Sequence, residues 1–243
     1  MLSALTIDFW NTLFGTDNGL AREQSRQRVL RDELAASGYY PKERELESAR
    51  DVALEHFRSQ WIDQQYTPGS SELVSVMLAD LRVNLSSSAV TRIEEVFARG
   101  VIEHPPQLLP GARETIESFA EHVPLAIISD TAFSPGSVLR ELMGMVGIAE
   151  YFSAFVFSDE TGVAKPDPVA FKSALDALGV TADHAVHIGD IERTDIKGAL
   201  GYGMHAVLYC NVENRHQLAE DATEADAVIK HWNELSSAVK DLK

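Results

Sequence analysis

The chain has a single cysteine, Cys210, among its 243 residues. One thiol cannot close an internal disulfide, so a small crosslinked secreted fold is excluded and a reducing compartment is expected. Cys210 follows the apolar run 206–209 and reads as a small hydrophobe at a strand end rather than a reactive thiol. Cations are scarce too. Lys and Arg total 21 against 37 Asp and Glu, a formal net charge of -16. That balance repels nucleic acid and anionic membranes, so neither is an expected partner. It also repels anionic metabolites, so a phosphate site needs local positive charge from Lys, Arg or a metal. No basic segment leads into a long apolar stretch near residue 1, and no apolar run reaches membrane-spanning length. A cytoplasmic setting is therefore expected. The eight histidines show no metal-pair spacing. Repeats and low-complexity tracts are missing, and no strand pattern occurs between about residues 16 and 104.

What is present is a 45% apolar chain, enough for a sizeable core, either one large domain or a core carrying an inserted module. Residues 4–9 read as a buried strand. A helical block follows. It comprises residues 20–37 ending at Gly38, a helix opened by Pro41, a turn at 67–70 leading into Leu73, Met77 and Leu81, and a helix capped by residues 86–88 and running towards Arg99. The proline-rich piece 105–111 is a stiff connector. Beyond it strands are expected at 125–128, 154–157, 185–188, 205–209 and 226–229. Helices are expected at 136–142, 168–178, 195–202 and 232–242. Alternating strands and helices imply a doubly wound parallel sheet, Rossmann-like, covered on both faces. The first strand must join that sheet, so residues 16–104 form an inserted α-helical cap, and residues 1–15 with 105–243 form the α/β core.

Four segments fall at the C-terminal ends of the strands or in the loops just beyond, where open α/β sheets bind their ligands. Asp8 ends the first strand and is followed by Phe9, Trp10, Asn11, Thr12 and Leu13. Ser129, Asp130 and Thr131 follow the second. Lys165, Pro166, Asp167 and Pro168 form the third segment. The fourth runs from Gly189 and Asp190 to Asp195, Gly198 and Ala199. A carboxylate at a strand end acts as a nucleophile or holds a cation. Asp8, Asp190 and Asp195 would converge and repel one another, a cost that a hard divalent ion such as Mg²⁺ removes. The alternative for Asp190 and Asp195 is to cap the following helix. Gly189 favours a close backbone approach and hence the metal reading for Asp190. Ser129 either offers its hydroxyl to a phosphate or satisfies its own backbone turn. Lys165 is either a solvated loop residue or the cation that a transferring phosphoryl group needs. His187, inside a strand, reads as structural. Phe133, Trp61 and Tyr66 read as packing. Arg22, Arg26 and Arg58 lie in the helical block and either meet an anionic group or form a solvated face.

Taken in order, these segments resemble those of the haloacid dehalogenase superfamily, in the subgroup with a helical cap inserted after the first motif. The resemblance covers nearly the whole chain. It is close at Lys165-Pro166-Asp167-Pro168 and from Gly189 through Asp195 to Ala199, and it departs at Trp10 and Asn11. It implies that Asp8 is the nucleophile and Lys165 its charge partner. Phosphate would bind at Ser129, the backbone N–H of Asp130, Lys165 and Thr12. Mg²⁺ would be held by Asp8, the Trp10 carbonyl and Asp190, with Asp195 bound directly or through water.

Trp10 qualifies the chemistry. Phosphatases of the superfamily carry an acid there, which protonates the leaving oxygen and later activates water. An indole donates one hydrogen bond and exchanges no useful proton near neutral pH. Loss of a general acid–base group costs roughly 10²–10⁴ in rate. The superfamily's metal-free dehalogenases carry Tyr at this position, which resembles Trp10. They have Ser where Asp190 stands and Asn where Asp130 stands. Three readings follow: an Mg²⁺-dependent hydrolase of a small phosphorylated metabolite through an aspartyl phosphate at Asp8, a metal-free 2-haloacid dehalogenase, or a ligand-binding or interaction protein with weak turnover on the same fold.

Overall fold

The computed structural model describes residues 2–210, 223–240 and 242. Six strands form one parallel sheet: β1 (Ala4–Ile7), β2 (Leu125–Ser129), β3 (Ala154–Phe157), β4 (Ala185–Gly189), β5 (His205–Tyr209) and β6 (Ala227–Ile229), in the order β3-β2-β1-β4-β5-β6. The central strands β1, β2 and β4 are buried at every position, as the continuous apolar runs of a sheet covered on both faces require. Chain order reverses between β1 and β4. This is the switch point beside which doubly wound sheets leave a crevice at their C-terminal edge. Register places Ile7 opposite both Ile127 and Ile188, so the residues following β1, β2 and β4 emerge side by side.

The described residues divide into two compact units. One comprises residues 1–16, 107–130 and 143–243, and the other residues 17–106 and 131–142. The sheet unit packs α5 (Ala112–Ala120), α7 (Ser158–Thr161), α8 (Pro168–Leu178), α9 (Lys197–Tyr202) and α10 (Leu235–Ala238) around the strands. Phe171, Ile196, Ala206 and Leu208 share its core with the strand residues Ala126 and Ile128. Helix α8 shows how local sequence sets an element. Asp167 caps it by accepting from the Val169 N–H at 2.8 Å, Pro168 opens it, and Gly179 closes it in the left-handed conformation.

The helical unit is built from α1 (Gly19–Ala36), α2 (Glu43–Gln64), α3 (Ser70–Asp80) and α4 (Ser87–Glu103), and it contains no strand among the described residues. Glu45 reaches back to the Lys42 N–H at 2.6 Å to start α2, and Ser86 accepts from the Ala89 N–H to start α4. Leu30, Leu34, Ile93 and Phe97 meet in its core. Residues 131–142 join this unit, although the expected division left them with the core. Their side chains explain it: Phe133 packs edge-on against Phe97 at 5.4 Å, and Arg99 donates twice to Glu141. They include the start of α6 (Gly136–Met145).

Several expected elements shift. The final helix is a 3-10 turn at Trp232–Glu234 followed by the single turn of α10. Its expected end includes residue 241, outside the described residues. The helix expected from residue 195 begins as a π-helical turn, Glu192–Ile196, before α9. No described helix is long and apolar enough to cross a membrane, and Cys210 is buried.

Candidate active site

Strand β1 carries Asp8 to the sheet edge, and the Asp8 N–H donates to the Ile188 carbonyl at 2.9 Å, extending the pairing with β4 by one residue. The chain then folds back on itself. Asn11 takes a left-handed φ of 58°, a conformation Asn tolerates, and its N–H donates to the Phe14 carbonyl at 2.7 Å. Phe9 stacks on Phe14 at 4.6 Å and meets Trp10 edge-on at 5.0 Å. Trp232 ties the loop down by donating its indole N–H to the Thr12 carbonyl.

The buried ammonium of Lys165 lies between two carboxylates. Its Nζ is 2.5 Å from Asp8 Oδ1 and 2.6 Å from Asp195 Oδ1. Asp130 sets the backbone of Lys165, because its Oδ1 accepts the Lys165 N–H at 2.9 Å. Asp195 is held from every side. Oδ1 also receives His187 Nε2 at 3.1 Å, while Oδ2 accepts from the Ile191 N–H and the Thr194 hydroxyl. The π turn makes this possible by turning the Asp195 side chain back onto Gly189. A Cβ at Gly189 would lie 2.3 Å from Asp195 Cγ, so only glycine fits.

His187 completes a chain of buried contacts. Its Nδ1 is 2.8 Å from the Thr6 hydroxyl, and the ring is fully buried. Burial disfavours its protonated form despite Asp195, so the ring is neutral. With Thr6 donating to Nδ1, the Nε2–H tautomer points at Asp195.

These partner sets divide the charge unevenly. Burial pushes the Asp8 carboxyl up to about 7; Lys165 opposes the shift, while Asp195 and Asp130 reinforce it. Burial acts on Asp195 as well, but Lys165 and His187 outweigh it and hold that carboxyl below the usual range. Burial also works against the charge on Lys165, and the neighbouring carboxylates of Asp195, Asp8 and Asp130 overcome it and raise its pKa. One ammonium thus serves two carboxylates. The one with four donors, Asp195, keeps its charge more firmly than Asp8, which has one.

The residues singled out in the sequence are distributed as follows. Asp8, Lys165 and Asp195 form one ion-paired cluster, and Asp130 is bonded to the Lys165 backbone. Ser129 is buried at the end of β2, with its hydroxyl 3.4 Å from the Asp130 carbonyl. Asp190 is buried at the end of β4, on the strand adjacent to β1. Asp195 accepts from Lys165 and His187 through Oδ1 and from Ile191 and Thr194 through Oδ2. Thr12 is fully buried, its hydroxyl has no partner among the described residues, and its carbonyl accepts from the Trp232 indole. No group of three or more His, Cys, Asp or Glu side chains is arranged to hold a metal among the described residues. Sequence reasoning missed His187 and Thr6 as neighbours of the site. The available signal was two polar side chains in strands buried on both faces, which must find hydrogen-bond partners there.

A doubly wound sheet with a lysine-paired aspartate at its switch point defines a class of α/β protein built around a buried nucleophilic or ion-holding carboxylate. The sequence profile of the haloacid dehalogenase-like hydrolases matches residues 2–203, and the chain belongs to that family. It is 41% identical over 68 residues to the phosphoserine phosphatase of Thermus thermophilus, a stretch covering 28% of this chain and 27% of that one. It is 28% identical over 139 residues to a phosphoglycolate phosphatase of Yersinia pseudotuberculosis, covering 57% and 58% of the two chains. The matched stretches thus span less than two thirds of those relatives. A crystal structure of a 2-haloacid dehalogenase from Pseudomonas syringae pv. Tomato superposes over 99% of both chains, with a TM-score of 0.72 and 25% identity.

Proposed function

We infer that the chain is a phosphatase-type hydrolase acting on a small phosphorylated metabolite through Asp8. The carrying observation is the asymmetry of the Asp8 carboxylate: Oδ1 is held by Lys165 at 2.5 Å, and the other oxygen accepts no hydrogen bond among the described residues. That oxygen attacks phosphorus, the bond from phosphorus to the leaving oxygen breaks, and an aspartyl phosphate forms. Water then attacks phosphorus, restores the carboxylate and releases inorganic phosphate. Lys165 and the Ser129 hydroxyl balance the charge of the transferring group. The similarity to phosphoserine and phosphoglycolate phosphatases supports this substrate class. The helical unit serves as the cap.

The donor set suits Mg²⁺. The Trp10 carbonyl accepts no hydrogen bond among the described residues, Asp190 adds a second hard oxygen donor, and Asp8 would offer the lone pair of Oδ1 that Lys165 does not take, leaving the other oxygen to attack. Buried Asp8, Asp190 and Asp195 also outnumber the single buried lysine. Asp8, the Trp10 carbonyl and Asp190 would hold the ion. Bound there, Mg²⁺ would favour the ionised form of Asp8 against the burial that raises its pKa and would offset the charge of the phosphoryl oxygens.

The leaving oxygen needs a proton that Trp10 does not deliver, and its indole makes no hydrogen bond among the described residues. Substrates with acidic leaving groups are therefore favoured. A second reading draws on the same residue. Halide leaves without a proton, and the dehalogenase likeness extends over the whole chain, so a metal-free 2-haloacid dehalogenase is the rival. Release of phosphate from 4-nitrophenyl phosphate that requires Mg²⁺, is lost in Asp8→Asn and rises about 10²–10⁴-fold in Trp10→Asp supports the phosphatase. Halide release from 2-chloropropionate without metal, and no phosphate release, overturns it.

A further inference from the structure

The cycle at Asp8 asks for two opposite proton movements. When Asp8 takes the phosphoryl group, the leaving oxygen gains a proton unless it departs as a stable anion. When water takes the group back, the attacking water loses one. An acidic leaving group removes the first demand and leaves the second untouched. Around Asp8 the sheet unit is rich in donors and poor in open acceptors. The Lys165 ammonium donates to Asp8 and Asp195. The Asp195 carboxylate accepts from Lys165, His187, the Ile191 N–H and the Thr194 hydroxyl. His187 is fully buried and bonded at both ring nitrogens. Asp130 accepts the Lys165 N–H, and Asp190 is committed to the ion in the reading above. Trp10, two positions after Asp8, sits edge-on against Phe9 and carries an indole N–H, a donor with no acceptor lone pair.

None of these groups is left to take a proton from water, and a missing general base costs roughly 10²–10⁴ in rate. With an acidic leaving group on the donor, that penalty falls on the second half-reaction alone. A carboxylate acceptor escapes it, because an anion attacks phosphorus with no proton to lose. Its attack is the reverse of carboxylate loss from an acyl phosphate. Aspartyl phosphate is itself an acyl phosphate, so exchange between the two is close to thermoneutral. Burial of Asp8, Ser129 and Lys165 further limits water at the phosphoryl group.

We propose that phosphorylated Asp8 accumulates in turnover and passes its phosphoryl group to the carboxylates of small acids faster than to water, so that the chain exchanges phosphoryl groups among acyl phosphates. This rests on the aspartyl phosphate of the reading above. In the forward step an Asp8 oxygen bonds phosphorus, and the bond from phosphorus to the donor's carboxylate breaks. That oxygen leaves with the electron pair and needs no proton. In the return step the acceptor's carboxylate oxygen bonds phosphorus, and the bond to Asp8 breaks. Neither step moves a proton. The test mixes the full chain and Mg²⁺ with acetyl phosphate and radiolabelled acetate, with Asp8→Asn as the blank for spontaneous hydrolysis. Intact mass of the acid-quenched protein shows one phosphoryl group on most chains. Label enters acetyl phosphate about 10²-fold or more faster than inorganic phosphate appears. In Trp10→Asp, which supplies an acceptor for the proton of water, phosphate release overtakes exchange and the phosphorylated protein disappears. The wild-type result decides the matter should that variant not fold. Phosphate release with unphosphorylated protein and unlabelled acetyl phosphate overturns the proposal and leaves the phosphatase reading standing. Phosphorylated protein that exchanges no label overturns it as well. Protein that neither gains a phosphoryl group nor turns over acetyl phosphate or 4-nitrophenyl phosphate overturns both.

Discussion

The two units of the molecule surround their inward-turned cations differently: Lys165 is buried among carboxylates, whereas Arg26 is partly exposed beside aromatic rings. In the sheet unit Lys165 has two carboxylates within 2.6 Å, more negative charge than one ammonium neutralises. In the helical unit Arg26 has aromatic rings and a single long bond to a carbonyl, and no carboxylate pairs with it among the described residues. A buried charge cluster is stable when it is balanced, so the excess of carboxylates around Lys165 points to a missing positive charge. The sheet unit has room for a cation or a proton, whereas Arg26 has Glu23 acting on it and solvent within reach. Residual charge in a dry site marks function more sharply than any count of ion pairs at the surface, where such pairs contribute little.

The comparison breaks most visibly at Lys165. Lys165→Met leaves Asp8 and Asp195 facing one another without a counter-charge. Turnover should fall by at least about 10³-fold, and stability by roughly 3–5 kcal/mol, read from aryl phosphate hydrolysis and denaturant unfolding. Wild-type turnover in that variant would show that the pair is structural only.

The next effect is a pH slope. Asp8 titrates at about 7 when folded, against an ordinary value near 4, so the folded protein binds the proton more tightly than the unfolded one. Its contribution to stability is therefore complete below about pH 4 and is lost as pH rises through about 7. Metal-free wild type should lose up to a few kcal/mol relative to Asp8→Asn across that interval. Adding Mg²⁺ should restore wild type at pH 8 and leave Asp8→Asn unmoved. Parallel pH profiles for the two proteins would show that Lys165 alone balances the site.

The smallest effect concerns the chain from Thr6 through His187 to Asp195. His187→Leu removes one donor to Asp195 and should slow turnover about tenfold, through a less firmly placed Lys165. His187→Gln, which keeps an N–H donor, should recover most of that loss in kcat with KM unchanged. Equal loss in both variants would make His187 a packing residue.

Much of the fold was legible because periodicity and terminators coincide. Strand β3, helix α8 and strand β5 fall where the sequence pattern places them, each bounded by local signals such as Asp167, Pro168 and Gly179. Helix α5 was not legible: nine residues with only Thr115 and Ile116 buried beyond its first position offer too short an apolar stripe. The π turn before α9 was hidden for a different reason. Its shape serves the contacts of Asp195 with Gly189 and Ile191, which no helical period encodes. At the site, the strand ends suggested that Asp8, Asp190 and Asp195 converge, and the family resemblance added Lys165, without deciding who bonds to whom.

The sequence by itself determined a doubly wound α/β sheet with a helical insertion, and it brought Asp8 and Asp190 to adjacent strand ends, because apolar runs, caps and breakers act within a few residues. Only the tertiary structure decided that Asp195 accepts from Lys165 and His187, and that Arg26, among three similar arginines, is the one set against the Phe133 ring and the Phe97 carbonyl. Those outcomes depend on contacts between residues 30, 71 and 157 positions apart. Hydrogen-bond partners and desolvation at such separations are set by packing, and packing is not written in any local pattern.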